Sequence, residues 1–202
     1  MDNGEARSRV LDAAEELFYG QGIQTVGMDA VRSASGVTLR RLYQLFPSKG
    51  ALVEAYLLRR DARWRDSLAA YVDSVDAPPR ERVLAVFDWL RGWFEEPGFR
   101  GCAFINSFGE LGATSPEVAE AARRHKEEFL RYVTGLVAVT DAPAPAGRHV
   151  ALLAEGAMTT AALTGSSAPA GEAREAAALL LDAAARGGRG APGAGRSAPP
   201  NR

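Results

Sequence analysis

Two short runs of helical periodicity fold back on each other at Ser35-Gly36-Val37, and no other stretch restricts the possible folds of this chain as strongly. The first run, from Gly27 or Met28 to Ala34, turns Met28 and Val31 inward, with Thr25 or Gly27 as its N-cap. The second is capped by Thr38 and anchored by Leu42 and Phe46 at i and i+4. Arg40, Arg41, Gln44 and part of Tyr43 are left pointing outward. Phe46-Pro47-Ser48 stops this run, and Ser48 caps a third, longer one beginning at Lys49. A short basic-aromatic helix held across a glycine turn from another helix is the geometry of a helix-turn-helix reader of DNA.

The overall net charge of −1 does not by itself suggest a polyanion as partner. Its distribution is more informative. From Gly27 to Lys49 four cations (Arg32, Arg40, Arg41 and Lys49) face a single acid, Asp29. So modest an excess predicts weak DNA binding by one copy, which a dimer would remedy by doubling the phosphate contacts. The single cysteine, Cys102, excludes an intrachain disulfide and a thiolate cage, and the two histidines form no cluster at metal-ligand spacing. No catalytic residue, metal or cofactor is therefore expected. With no long apolar run and a polar first ten residues, the chain is expected to be a cytoplasmic protein without membrane contact.

Helical periodicity continues along almost the whole chain, so the expected fold class is all-α. Residues 6–20 carry one apolar face (Val10, Leu11, Ala14, Leu17, Phe18) and end at Gly20-Gln21-Gly22. A long helix from Lys49 to about Asp73 buries Leu52, Val53, Tyr56, Leu57, Trp64 and Leu68, with Arg59, Arg60, Arg63 and Arg65 on its charged side. Its N-terminal dipole makes Lys49 a good phosphate anchor. A Pro-marked linker at 74–80 leads to a helix from Arg80 to about Glu95 that is apolar on more than one face and so is expected to be surrounded. Ser115-Pro116-Glu117 starts a helix reaching about Val139. Residues 141–147 read as a loop, 148–164 and 172–186 as two Ala- and Leu-rich helices, and 187–202 as a disordered tail.

The run VLDAAEELFYGQG…MDAVRSASGVTLRRLYQLFPSKGAL resembles the N-terminal domain of TetR-type transcriptional regulators. Phe18, Gly22, Ser35-Gly36-Val37-Thr38, Leu42-Tyr43, Phe46 and Pro47-Ser48-Lys49 carry the resemblance, which covers roughly residues 5–60; Gly101-Cys102-Ala103-Phe104 adds a likeness to the start of the family's sixth helix. Two positions depart from the pattern. Gly27 stands where the family usually has Thr or Ser, and Thr38-Leu39-Arg40-Arg41 replaces a reading helix with small Gly and Thr residues. Arginine reads guanine O6 and N7 in the major groove, so a G-containing half-site is expected.

The resemblance implies a three-helix DNA-binding domain with its helix-turn-helix at 1–48, then a larger helical ligand-binding and dimerisation domain at 49–186. The implied partners are a double-stranded DNA operator with two half-sites, a second copy paired through 148–186, and a small-molecule effector. Arg40 and Arg41 are the expected base readers, with Thr38, Tyr43, Gln44 and Lys49 as backbone-positioning groups. Phe87, Trp89, Trp93, Phe104, Asn106, Phe108, His125 and Phe129 are the effector candidates, because an apolar cavity with a few convergent polar groups is how such sites are built. Ordinary core packing is the alternative for the same rings, a satisfied core histidine for His125, and buried filler for Cys102. The function that follows is repression relieved by an apolar or aromatic ligand. A transcriptional activator, or a regulator controlled by a partner protein, is the alternative; an enzyme on a helical scaffold is remote, for want of a nucleophile-base arrangement.

Overall fold

The computed structural model describes residues 2–187, and among them every regular element is an α-helix. They are α1 (Asn3–Gln21), α2 (Met28–Ser35), α3 (Leu39–Leu45), α4 (Lys49–Ser74), α5 (Pro79–Phe94), α6 (Ala103–Leu111), α7 (Pro116–Ala138), α8 (Pro145–Thr164) and α9 (Ala168–Gly187). The expected tail lies, beyond Gly187, outside the described residues. No described helix is long and apolar enough to cross a membrane.

Local chemistry sets four of the described helix starts. The side chains of Asp2, Thr38, Ser48 and Ser115 each accept a hydrogen bond from the backbone N–H three residues on, satisfying a donor that has no partner within the helix. Gly27 caps α2 without any side-chain bond, so the departure from the family pattern at this position costs that helix a cap.

Two helices begin earlier than their sequence suggests. α8 starts at Pro145, inside the stretch expected to be a loop, and α9 at Ala168 rather than Glu172. Proline is tolerated in a first turn, where its missing N–H had no helical partner. Packing secures both starts: Ala146 and Ala170 are buried, and a Cβ on Gly147 would stand 2.9 Å from the Thr134 side chain of α7. Gly147 thus lets the start of α8 lie close against α7.

Two hydrophobic cores divide the described residues, and α4 is built into both. Its first half puts Leu52, Val53, Tyr56 and Leu57 into the core formed with α1, α2 and α3. Its second half puts Trp64, Leu68 and Val72 into the core formed with α5, α7, α8 and α9. Phe104 of α6 and Val118, Ala121 and Ala122 of α7 belong to the first core, so these two helices rest directly on the N-terminal unit. α5 is surrounded as expected, with Val83 through Phe87, Leu90, Trp93 and Phe94 all buried.

Three arginines of the charged side of α4 fasten it to α1. Arg59 reaches Asp12 at 2.8 Å and Glu15 at 2.9 Å, Arg60 reaches Glu15 at 2.9 Å, and Arg63 the same carboxylate at 3.1 Å. The guanidinium of Arg60 also lies 3.9 Å over the Tyr19 ring.

Candidate functional site

The α2–α3 corner depends on Gly36, which ends α2 in the left-handed conformation at φ 68°. A Cβ there would also meet the Arg9 guanidinium at 3.1 Å. Ser35 is buried and its hydroxyl donates to the Arg32 carbonyl at 3.1 Å, closing the turn. Leu42 and Phe46 plug α3 into the core, while Arg7 of α1 covers the Phe46 ring at 4.6 Å.

Anchoring by those two residues fixes what α3 shows to the outside. Thr38, Leu39, Arg40, Tyr43 and Gln44 are exposed, and Arg41 and Lys49 are half-buried. Arg41 donates its backbone N–H to the Thr38 hydroxyl at 3.2 Å, leaving its side chain uncommitted. Among the described residues no carboxylate pairs with Arg40, Arg41 or Lys49. Arg32, by contrast, is held by Asp29 at 3.4 Å. Free guanidinium groups on one face of a short helix, with Lys49 at the start of the next, can engage base edges and phosphates together.

The eight effector candidates do not converge on one cavity. Trp89, Trp93, His125 and Phe129 gather around Trp64, with ring centroids 5.1, 5.6, 5.2 and 5.5 Å from it. Phe104 stacks on His125 at 3.8 Å. Phe87 is packed in the same core, 1% exposed. Asn106 instead lines a crevice of about 640 Å³ beside Tyr19 and Glu110, its side-chain N–H donating to the Arg100 carbonyl at 2.9 Å. Phe108 is 54% exposed, on an apolar groove between α6 and α7.

Trp64, the hub, is read from sequence as a buried residue of α4 but is not among the effector candidates, and Asp61 carries no sequence expectation. Both signals lay in the helical phase: Asp61 falls four residues after Leu57 and three before Trp64, on the buried stripe of α4. Its carboxylate meets His125 Nδ1 at 2.7 Å and is forked by Arg65, the shortest contact being 2.8 Å. Burial opposes ionisation of Asp61, but the bonds from His125 and Arg65 prevail and hold its pKa down to about 2. Burial likewise opposes charge on His125, yet its bonds to Asp61 and Cys102 raise its pKa. Cys102 is buried, which pushes a thiol up; His125 and Lys126 override this and bring it down to about 7. Lys126 lies 3.3 Å from the sulfur and 2.6 Å from Glu155 of α8. His125 is therefore a satisfied core histidine that ties α7 to α4.

A second tie joins α6 to the head. Glu110 accepts from the Gln24 backbone N–H at 2.8 Å, while the Gln24 side chain donates to the Glu110 carbonyl. The Tyr19 hydroxyl donates to the Gly101 carbonyl and accepts from the Arg100 N–H, both at 2.8 Å.

Among known proteins, the family described as bacterial regulatory proteins, tetR family, matches residues 10–56, which span most of α1, all of α2 and α3, and the start of α4. An uncharacterized HTH-type transcriptional regulator of Mycobacterium tuberculosis is 38% identical over 156 residues, 65% of this chain and 74% of that protein. A solved TetR-family transcriptional regulator from Streptomyces coelicolor superposes with a TM-score of 0.76 at 34% identity, covering 91% of this chain and 96% of that one. Another, from Streptomyces avermitilis, gives 0.74 at 29% identity over 89% of this chain and 98% of its own. A reading head of this geometry on a helical body shared over about nine-tenths of the chain with such proteins leads to one conclusion: the chain belongs to the TetR family of transcriptional regulators, which bind DNA as dimers and are not enzymes.

Proposed function

We propose that this regulator is a cytoplasmic repressor that grips an operator of two G-containing half-sites as a homodimer and lets go when a small apolar or aromatic effector binds. Arg40 and Arg41 read bases; Thr38, Tyr43, Gln44 and Lys49 hold the backbone. Residues 1–48 form the reading unit, while 49–186 bind the effector and pair the two copies. The single observation that carries this reading is α4. One unbroken helix, Lys49–Ser74, puts Leu52, Val53, Tyr56 and Leu57 into the head core and Trp64 at the centre of the aromatic cluster. An occupant that shifts the second half of α4 must move the first half with it.

The two heads must meet half-sites about 34–36 Å apart or a multiple of that. A displacement of a few Å in head separation costs one set of contacts, and a coupling of about 1–3 kcal/mol changes operator affinity roughly 5- to 150-fold. Footprinting of the purified protein on DNA flanking its own gene, followed by a ligand screen for release, tests both halves of the reading. A reporter fused to the footprinted promoter gives the sign. Expression should rise when the regulator is deleted, and a fall would make it an activator.

A further inference from the structure

Leu39 and Tyr43 are the large apolar side chains that the described head, residues 2–48, leaves exposed, at 47% and 45%. Tyr43 carries a hydroxyl that a phosphate can satisfy; Leu39 has no polar atom in its side chain. The phase of Leu39 is that of the core, since it precedes buried Leu42 by three residues and buried Phe46 by seven. The core nevertheless does not reach it. Helix formation does not ask for leucine there either, because Thr38 supplies the cap and a first turn favours acids over apolar groups.

A lone exposed leucine on an ordinary surface needs no explanation. The setting of this one is different. Arg40 and Arg41 follow it directly, Tyr43 lies one turn on and Lys49 starts the next helix. None of the three cations has a carboxylate partner among the described residues. A protein partner covering Leu39 with an apolar surface would bury guanidinium groups without pairing them, which is costly. Duplex DNA supplies phosphates and guanine edges for the cations. In the same major groove it offers one apolar group, the C5-methyl of thymine, where cytosine has only a hydrogen.

We propose that Leu39 is a specificity-determining residue of α3, packing its side chain against the C5-methyl of a thymine in each half-site. The half-site is thus read in two ways, guanine by hydrogen bonds from arginine and thymine by apolar contact with Leu39. This deepens the proposed function and rests on α3 lying in the major groove; it depends neither on the effector nor on the sign of regulation.

Uracil tests it, because it pairs as thymine does and lacks only the methyl. Full-length protein selects sites from a random-sequence duplex pool, and each thymine of the selected site is replaced in turn by uracil. Fluorescence anisotropy at one fixed salt concentration gives the affinities. At one thymine per half-site, uracil should weaken wild type about fourfold, and about 15-fold when both half-sites carry it. Leu39→Ala should bind the thymine and uracil duplexes alike, while Leu39→Met should still discriminate between them. Tyr43→Phe should discriminate as wild type does. The Tm of Leu39→Ala should match that of wild type, because the side chain it removes is exposed and caps nothing.

The proposal is overturned if no uracil replacement weakens wild type, a scan that needs no variant. It is equally overturned if Leu39→Ala keeps the full uracil effect, for the methyl is then read by another group or through duplex shape. Selection that enriches no common sequence would remove α3 as a reader of DNA, and Leu39 with it. Enrichment of a site whose thymine methyls are indifferent would leave the reading head standing and strike Leu39 alone.

Discussion

Arg40 and Arg41 differ in how much freedom the fold leaves them, the first exposed and the second half-buried. Neither has an acid to release among the described residues before it meets DNA, so each substitution removes a contact without freeing a trapped charge. Arg40→Ala and Arg41→Ala should each weaken specific binding by about 1–3 kcal/mol and relax one operator position. Lys49→Ala should weaken all sequences alike and lower the salt slope by about one unit. Anisotropy on operator variants across a salt series separates the two behaviours, and a sequence-selective loss from Lys49→Ala would remove it from the phosphate contacts. The Asp61–His125 pair adds a pH dependence of stability. His125 has its pKa raised by the fold, so its contribution is full below the unfolded imidazole range of about 6.5 and disappears as pH rises through the folded value. Asp61 has its pKa lowered, so its contribution is full above the ordinary carboxylate range and disappears as pH falls toward about 2. Urea unfolding from pH 5 to 9 should therefore show the advantage of wild type over Asp61→Asn shrinking as pH rises; a constant gap would mean that His125 is not protonated beside Asp61.

At the scale of elements, α1 and α4 are joined by one carboxylate that serves three arginines. Glu15→Ala strands Arg60 and Arg63 and leaves Arg59 with Asp12 alone, and should cost about 1–2 kcal/mol in unfolding free energy, less than a fully buried pair would because Arg63 is 61% exposed. Equilibrium urea denaturation measures it, and a neutral result would reduce the network to solvated charges. This junction also marks the limit of what the chain reveals before it is folded. Thr38, Ser48 and Ser115 are readable as caps because the N–H they serve is three residues away. Gly36 and the outward face of α3 are readable for the same reason, so the reading head emerges almost complete from local pattern. The arginines of α4 are readable as a charged face, but their partner is 44 to 48 residues earlier, and nothing local distinguishes a latch from a solvated stripe. Asp61 and His125, 64 residues apart, are hidden in the same way. The starts of α8 and α9 were misplaced because proline reads as a breaker until packing against α7 or α8 holds the first turn. The packing of the aromatic rings was the least legible, since whether a ring lines a space or fills it is decided by helices far apart in sequence.

Among the described residues, α8 and α9 leave an apolar face without cover. Leu152 and Leu163 of α8 are 68% and 83% exposed, and Leu179 of α9 is 67% exposed. Leu152 and Leu163 are eleven residues apart, about three helical turns, so they share a side of α8. Gly156, Thr159 and Thr160 lie exposed between them, small and uncharged, and a Cβ on Gly156 would touch nothing within 4 Å. A second copy of the same two helices can bury such a stripe around a two-fold axis, each leucine facing its equivalent surface. The family's dimeric habit and the modest positive charge of one head both demand such a surface. Leu163→Glu places two carboxylates into that contact and leaves the head untouched, so far-UV circular dichroism should be unchanged while sedimentation velocity shifts from dimer to monomer. Operator affinity should then fall at least 100-fold, and the slope of log affinity against log salt should drop to about half, because one head neutralises half the phosphates. Binding to an isolated half-site should be indifferent to the substitution. A variant that stays dimeric with the wild-type salt slope would move the interface off α8, and the exposed leucines would need another partner.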